Sequence, residues 1–301
     1  MDESEWLAER FEEHRTHLRA VAYRMLGSLS EADDAVQDAW LRLDRAGADD
    51  VENLGGWLTT VVARVCLNML RSRNVRREES FGVHVPDPVV SAEGDRQPEQ
   101  EALLADFVGL ALLVVLDTLA PAERLAFVLH DMFDLPFEEI APMVGRTPAA
   151  ARQLASRARR RVKGAEVPAP GPDLVRQRAL VDAFFSAARG GDFDALVTVL
   201  DADAVLRIDA GAEFPAGSMV VDGAEAVARQ TLTGLASTLA RPAIELHPAL
   251  VNGVPGVVVT LRGRPMTVIG FTIAAGRIAE IDAIADPERV RRIAAAVLED
   301  N

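Results

Sequence analysis

The sequence lacks the residues on which several classes of protein depend. It has one cysteine, Cys66, and five scattered histidines, so it predicts neither a disulfide framework nor a metal-binding cluster. A basic-then-apolar signal segment is missing, as is any uncharged apolar run of the ~20 residues that a membrane span requires. A glycine-rich phosphate loop is also missing, so we expect no cofactor. We therefore expect a soluble protein of the reducing cytoplasm, with Cys66 as a small core residue.

The chain divides into three blocks separated by two linkers. At 301 residues it is long enough for two or three domains. Apolar residues recur at helical spacing from about residue 3 to 77 and again from 100 to 164. The intervening segment, 78–99, has three prolines, two glycines and no period, so we expect an exposed linker. A second proline-rich linker covers residues 165–173.

The last block changes character, because strand-like runs separated by glycine, proline or asparagine turns follow two short helical patterns. We expect an α+β domain with a curved antiparallel sheet over 174–285, and a helical tail over 286–301.

Positive charge is concentrated on one short segment, although the formal net charge of the chain is −14. Residues 147–164 contain five arginines, one lysine and no acidic residue. Thr147 and Pro148 predict a helix start, because threonine is a favoured N-cap and proline a favoured first helical residue. Helical periodicity gathers Ala151, Leu154 and Ala155 on one face. The opposite face carries Arg152, Gln153, Ser156, Arg159, Arg160 and Lys163.

The residues before this helix predict a second, shorter helix and a turn. The segment FEEIAPMVGR predicts a short amphipathic helix from about 137 to 144, with Gly145 as the turn. Together the two helices form a helix-turn-helix, whose second helix can enter a DNA major groove. Arginine can pair with guanine, glutamine with adenine, and serine with either. A merely solvated basic face is the alternative, but the cap, the turn and the small-residue face together favour DNA binding.

Two further charged helices accompany this motif. A second basic cluster, free of acidic residues between Glu52 and Glu78, contains Arg64, Arg71, Arg73, Arg76 and Arg77. The helix SEADDAVQDAWLRL carries Asp33, Asp34, Gln37 and Asp38 on one side and apolar residues on the other. DNA would repel this acidic face, so we expect it to contact water or a protein.

The order of these segments resembles the extracytoplasmic-function sigma factors of bacterial RNA polymerase. The segments that carry the resemblance, within residues 5–163, are AYRMLGSLSEADDAVQDAWLRL, GWLTTVVARVCLNMLRSR and LAPAERLAFVLHDMFDLPFEEIAPMVGRTPAAARQLASRARRRV. The resemblance implies that residues 1–77 form sigma region 2 and residues 100–164 form sigma region 4. It also implies that core RNA polymerase and promoter DNA are the partners.

The resemblance implies a role for each charged helix. The helix with Asp34, Gln37 and Asp38 would bind the clamp helices of the polymerase β′ subunit. The helix from about 57 to 77, with the preceding loop AGADDVEN, would contact and melt the minus-ten promoter element; its candidate residues are Arg64, Arg71 and Arg73. The helix-turn-helix would read the minus-thirty-five element. Its family-matching positions are Arg152, Gln153, Ser156 and Arg157, and Leu154 replaces an arginine found in many relatives.

The last block resembles a SnoaL-like domain, which one subfamily of these sigma factors carries as a regulatory extension. The motifs of that subfamily are present only in altered form, as HVPDP from His84, DAGAEF from Asp209 and ADPERV from Ala285. The resemblance implies that residues 174–285 modulate sigma activity in cis. A small-molecule ligand of this domain stays open.

Two other functions compete with this interpretation. A ligand-sensing helix-turn-helix repressor would need no polymerase, but it would have no use for a DNA-melting helix. An enzyme fused to a DNA-binding anchor would need a general base, for which Asp209, Asp222, His247 and Asp282 are the candidates. Their spacing identifies no catalytic pair, and fold does not imply function. We therefore expect no catalytic site.

Overall fold

The structure is a computed structural model that describes residues 3–46, 53–77, 83–93, 109–165, 173–211, 214, 217–239 and 241–298. The chain forms two compact units. The first comprises Met1–Glu79, Glu101–Asp106 and Leu112–Val167, and the second comprises Ser80–Gln100, Phe107–Ala111 and Pro168–Asn301. The predicted region 2 and most of the predicted region 4 thus lie in one unit, whereas most of the predicted first linker belongs to the other. The predicted domain boundaries remain predictions.

The first unit begins with three helices that match the predicted helical block. They are α1 (Glu3–Leu26), α2 (Leu29–Ala46) and α3 (Leu54–Arg77). Their core contains the side chains that recur at helical spacing, including Leu18, Val36 and Leu58. Cys66 is fully buried among them, and burial raises the pKa of its thiol to about 12. The prediction that Cys66 is a core residue is confirmed.

Four further helices follow in the same part of the chain: α4 (Leu110–Asp117), α5 (Pro121–Phe127), α6 (Phe137–Val144) and α7 (Pro148–Gly164). A π-helical turn, Val128–Met132, continues α5. Gly145 ends α6 with φ 67°, a conformation that glycine adopts without steric cost. Thr147 caps α7 by accepting a hydrogen bond from the Ala150 N–H at 3.3 Å. These local signals confirm the predicted helix-turn-helix.

Two arginines satisfy the carbonyl groups that the last turn of α1 leaves without helical partners. Arg124 of α5 is 1% exposed, and its Nε and Nη2 donate to the Arg24 carbonyl oxygen at 3.2 and 3.1 Å. Its Nη1 donates to Asp117 at 3.1 Å. Arg73 of α3 donates to the Leu26 carbonyl oxygen at 3.0 Å. Through Arg124, the helix before the helix-turn-helix is thus hydrogen-bonded to α1.

The second unit contains a seven-stranded sheet with the strand order β1-β4-β5-β6-β7-β2-β3. Its strands are β1 (Val90–Ala92), β2 (Leu200–Asp209), β3 (Met219–Asp222), β4 (Ile244–Val251), β5 (Val254–Leu261), β6 (Arg264–Ala274) and β7 (Arg277–Ile284). Neighbouring strands are antiparallel, as predicted, except β2 and β7, which are parallel. The connection from β2 to β7 runs through the rest of the sheet.

Helices cover the sheet of the second unit. These helices are α8 (Leu174–Gly190), α9 (Phe193–Val199), α10 (Ala224–Gln230), α11 (Ala236–Leu239), α12 (Pro287–Ile293) and α13 (Ala295–Leu298). Phe184 and Phe185 of α8 pack edge-on against Phe271 of β6, with ring centroids 5.6 and 6.0 Å away. The closing helix α12 also packs on β6. Within the described ranges, no helix is long and apolar enough to cross a membrane.

The predicted first linker is not exposed where the structure describes it. Residues 85–91 are buried, and β1 pairs with β4 so that Val90 lies opposite Val251. Val85 and Val89 are 0% and 2% exposed. The prolines made this segment look like an open linker, but Val85, Val89 and Val90 supply apolar surface that the second unit buries. Its residues Val90–Ala92 therefore form an edge strand of the second unit.

Candidate nucleic-acid and polymerase interfaces and the linker clasp

Helix α7 exposes the predicted DNA-reading side chains. Its buried face consists of Ala151, Ala155 and Ala158, all 0% exposed, which allow the neighbouring helices to pack closely. Five of the six predicted residues are exposed: Arg152, Gln153, Ser156, Arg157 and Arg160. The sixth, Arg159, is half-buried in an ion pair with Asp131. The helix thus presents a mostly exposed polar face, on which only Arg159 of the six predicted residues is half-buried, in its ion pair with Asp131.

Neighbouring aromatic and acidic groups orient two of these arginines. The Arg152 guanidinium lies 5.2 Å from the centroid of the Phe137 ring, within the range of a cation–π contact. Arg157 lies 3.8 Å from Glu123, and the Arg157 side chain is 58% exposed. This long contact with a mostly buried carboxylate leaves the Arg157 guanidinium accessible from solvent.

Helix α3 presents a second basic strip. Arg64 and Arg71 are exposed, and Asn68 lies between them at helical spacing on the same exposed face. Sequence reasoning missed Asn68, although its spacing from the two arginines was readable. Arg73 differs, because its side chain is 15% exposed and forms an ion pair with Glu31. The structure therefore groups Arg64 and Arg71 but holds Arg73 against the end of α1.

Helix α2 separates its charged and apolar faces as predicted. Val36 and Leu43 are buried, whereas Asp34 and Gln37 are exposed. Asp38 is half-buried and accepts a hydrogen bond from Arg42 at 2.8 Å, one helical turn away. The exposed carboxylates form an acidic surface that suits a basic protein partner.

A cluster of buried charges holds the former linker on the second unit. The Arg289 guanidinium donates from Nη1 to Asp209 at 2.5 Å and from Nε to Asp87 at 2.6 Å, and it also donates to the Val85 carbonyl oxygen. The Val85 N–H donates to Asp209 at 2.9 Å. We call Asp87, Asp209, Arg289 and Asn252, with the backbone they bind, the linker clasp.

The buried charges of the clasp stabilise one another. Burial alone would raise the pKa of Asp209, but hydrogen bonds from His84 and Val85 and the charge of Arg289 outweigh it, so this pKa lies well below its usual range. Burial alone would lower the pKa of Arg289, but Asp87 and Asp209 together raise it. Asp209 is therefore ionised and Arg289 protonated throughout the neutral range.

The Asn252 side chain and the β1 pairing extend the clasp along the linker. The Asn252 Oδ1 accepts from the Val89 N–H at 2.7 Å, and the Asn252 N–H donates to the Val89 carbonyl oxygen at 2.8 Å. Asn252 and Gly253 have φ 49° and 76°, as an Asn-Gly hairpin turn requires. This turn joins β4 to β5 and presents Asn252 to the linker.

The four general-base candidates occupy unrelated places. Asp209 belongs to the clasp, and Asp222 is exposed at the end of β3. His247 shares a hydrogen bond of 3.0 Å with Thr260. Asp282 is 1% exposed and receives a hydrogen bond from Arg207 at 3.2 Å. Burial raises the pKa of Asp282 to about 6, although Arg207 opposes the shift. The structure does not bring these residues together into one site.

The three altered sequence motifs converge on the clasp. HVPDP contributes Asp87, DAGAEF contributes Asp209, and ADPERV contributes Arg289. Sequence reasoning noted the motifs but missed Arg289 and Asn252 as binding residues. The opposite charges of Arg289 and the two aspartates were the signal in the sequence that could have indicated this contact.

Comparisons with known proteins agree with this arrangement. The family models Sigma-70 region 2 and Sigma-70, region 4 match residues 10–76 and 109–162. The ECF RNA polymerase sigma factor SigJ of Mycobacterium tuberculosis is 36% identical over 288 residues, which cover 93% of this chain and 91% of SigJ. The probable ECF RNA polymerase sigma factor SigI of the same species is 36% identical over 277 residues, 91% of each chain.

A solved structure extends the similarity to the whole fold. The crystal structure of the M. tuberculosis extracytoplasmic function sigma factor SigJ matches with a TM-score of 0.70 and 34% identity, and the match covers 94% of this chain and 97% of that one. The predicted fold class, two helical sigma regions followed by an α+β domain with a sheet, is confirmed. The chain belongs to the extracytoplasmic-function RNA polymerase sigma factors.

Proposed function

We propose that this sigma factor binds the clamp helices of the polymerase β′ subunit through α2, contacts the minus-ten element through α3 and reads the minus-thirty-five element through α7. We further propose that the second unit modulates initiation in cis through the linker clasp. The observation that carries the proposal is the joint exposure of three polar helix faces, one acidic and two basic, on a member of this family. Family membership favours initiation over the repressor and the anchored enzyme.

The geometry of α7 supports base reading by its exposed residues. Pro148 and Thr147 fix the start of the helix, and Arg152, Gln153 and Ser156 follow within its first turns. Recognition helices contact base edges mainly through such N-terminal residues. Arg160 lies further along the helix, so we assign it to the phosphate backbone.

The charge of α2 supports a protein partner. Asp34 and Gln37 are exposed, and nucleic acid would repel the carboxylate. A basic surface on the polymerase would instead be attracted to it, which raises the association rate.

The clasp supports modulation because it shortens the tether between the two sigma regions. If the whole linker were free, residues 78–108 could span up to about 100 Å. With residues 83–93 held on the second unit, this part of the linker no longer adds to the length of the tether. The start of α4 is held as well, since Leu110 packs beside Gly270. Release of the linker would lengthen the tether and so allow the two DNA-binding regions to separate further along a promoter.

Two arginines of α7 should differ in their effect on promoter recognition. Arg152→Ala is expected to weaken holoenzyme binding to its promoter by roughly 1–3 kcal/mol and to relax the preference at one base pair. Arg160→Ala should weaken binding to all duplexes equally and lower the salt slope by about one. Fluorescence anisotropy with promoter and random duplexes at several salt concentrations measures both effects. Equal loss on both duplexes for Arg152→Ala would count against base reading.

Reversal of the acidic face should prevent assembly with the polymerase. Asp34→Arg combined with Asp38→Arg is expected to abolish co-purification with core polymerase, because both substitutions place positive charge on the proposed interface. The fold should persist, since neither side chain is buried. Glu12→Arg with Glu13→Arg changes the exposed charge of α1 equally and serves as the control. Normal polymerase binding by the α2 double variant would refute the assignment.

Release of the linker should raise promoter-dependent transcription. Arg289→Met removes the guanidinium that joins three segments, whereas Arg292→Met on the same helix removes a side chain that is 53% exposed and 3.6 Å from Asp87. We expect the first variant to initiate about 5-fold faster or more, the size of a typical coupling free energy, and the second to resemble the wild type. Transcription in vitro with core polymerase measures the rates. Equal rates for Arg289→Met and the wild type would mean that the clasp does not regulate initiation.

A further inference from the structure

The SnoaL-like domain encloses a cavity that the clasp does not use. It has a volume of about 260 Å³ and lies between the sheet and the helical segment that contains α10 and α11. Phe184, Leu206, Ile269 and Ile281 supply much of its apolar wall. Small-molecule sites are concave and mostly apolar, and this cavity is near the lower end of their usual size.

The polar groups of the cavity are few and uncharged. Its lining includes Gln230, Thr231 and Thr267 but no charged side chain. Hydroxyl groups nearby, such as that of Thr233, donate to backbone carbonyl groups one turn away. In the described part of the chain, the Gln230 amide and the Thr231 and Thr267 hydroxyls form no hydrogen bond within the protein. Three neutral hydrogen-bonding groups are thus available to a molecule in the cavity.

Two irregularities of the backbone border the same cavity. Residues Thr231–Leu235 form a π-helical turn between α10 and α11. On β6, Val259 pairs with Thr267 but Thr260 pairs with Pro265, so Met266 is an extra, bulged residue. The bulge lets Met266 and its neighbour Thr267 both line the cavity. π-helical turns and β-bulges are frequent at functional sites, and here they converge on one cavity.

We propose that this cavity binds a small, uncharged, mostly apolar molecule that carries one hydroxyl or carbonyl group. The apolar wall buries the body of the ligand, and Gln230, Thr231 and Thr267 bind its oxygen. A carboxylate, phosphate or amine would lose its hydration without gaining a charged partner, so the cavity discriminates against charged ligands.

The cavity is connected to the clasp through the backbone. Ile208 lines the cavity and directly precedes Asp209 of the clasp. Ala285 also lines it and directly precedes Asp286, which caps α12 by accepting from the Arg289 N–H at 2.9 Å. The cavity wall is thus one residue away from Asp209 and one residue away from the cap of the helix that carries Arg289, so we propose that a bound molecule shifts the clasp. This regulatory step rests on the proposed function, whereas ligand binding does not.

The binding test uses the full chain and 2-naphthol, which combines an apolar two-ring body with one hydroxyl group. Calorimetric titration should show saturable binding of one molecule per chain. The charged analogue 2-naphthoate should bind at least about tenfold more weakly, because the cavity offers no cation. Equal affinity for the two probes would overturn the assignment of a neutral ligand.

Matched variants locate the binding site. Thr231→Val should weaken 2-naphthol binding about threefold to tenfold, the value of one hydrogen bond, whereas Thr233→Val in the same turn should leave it unchanged. Ala285→Leu should abolish binding by filling the half-buried rim of the cavity. Thermal unfolding of each variant without ligand shows that the fold persists.

Each outcome decides between the two proposals. Absence of saturable 2-naphthol binding, or undiminished binding by folded Ala285→Leu, would overturn the ligand site. Saturable binding that Ala285→Leu abolishes supports the site, whatever transcription shows. If 2-naphthol binds but transcription by wild type and Arg289→Met is equal, the site stands and only modulation through the clasp fails.

Discussion

The attachment of the linker to the second unit depends on the guanidinium of Arg289. It joins a linker segment, the end of β2 and the closing helix, which are far apart along the chain. Loss of one partner from such a cluster leaves a buried charge uncompensated, which costs about 3–5 kcal/mol. The three segments are therefore expected to associate or separate together, as a two-state element.

Under the proposed function, this interaction provides regulation within one chain. Part of the linker between the DNA-binding regions forms an edge strand of the sheet in the second unit, so the proposed regulatory domain binds the tether directly. A covalently attached domain acts at an effective concentration of order millimolar for a short linker, so a modest contact is well occupied. The hydrogen bonds from Arg124 to the Arg24 carbonyl oxygen also connect the two sigma regions, and they do not involve the clasp.

Sequence reasoning identified the elements whose signals are local. The cap at Thr147, the turn at Gly145 and the alanine face of α7 are all encoded within a few residues, and the structure has them. The burial of Val85 and Val89 was missed because it depends on Asn252 and Arg289, more than a hundred residues away. The partners of Arg73 at Leu26 and Glu31 were hidden for the same reason, and its assignment to DNA stays a prediction.

The described part of the linker belongs to the second unit, and we infer that Arg289 keeps it there. Hydrogen exchange of the Val85 and Val89 amides in the full chain measures this directly, since both donate to clasp residues. In the wild type both amides should exchange slowly. Arg289→Met should speed exchange at Val85 by about a hundredfold, the equivalent of about 3 kcal/mol, whereas Arg292→Met should not. Fast exchange at both amides in the wild type, or equal exchange in Arg289→Met, would contradict the account.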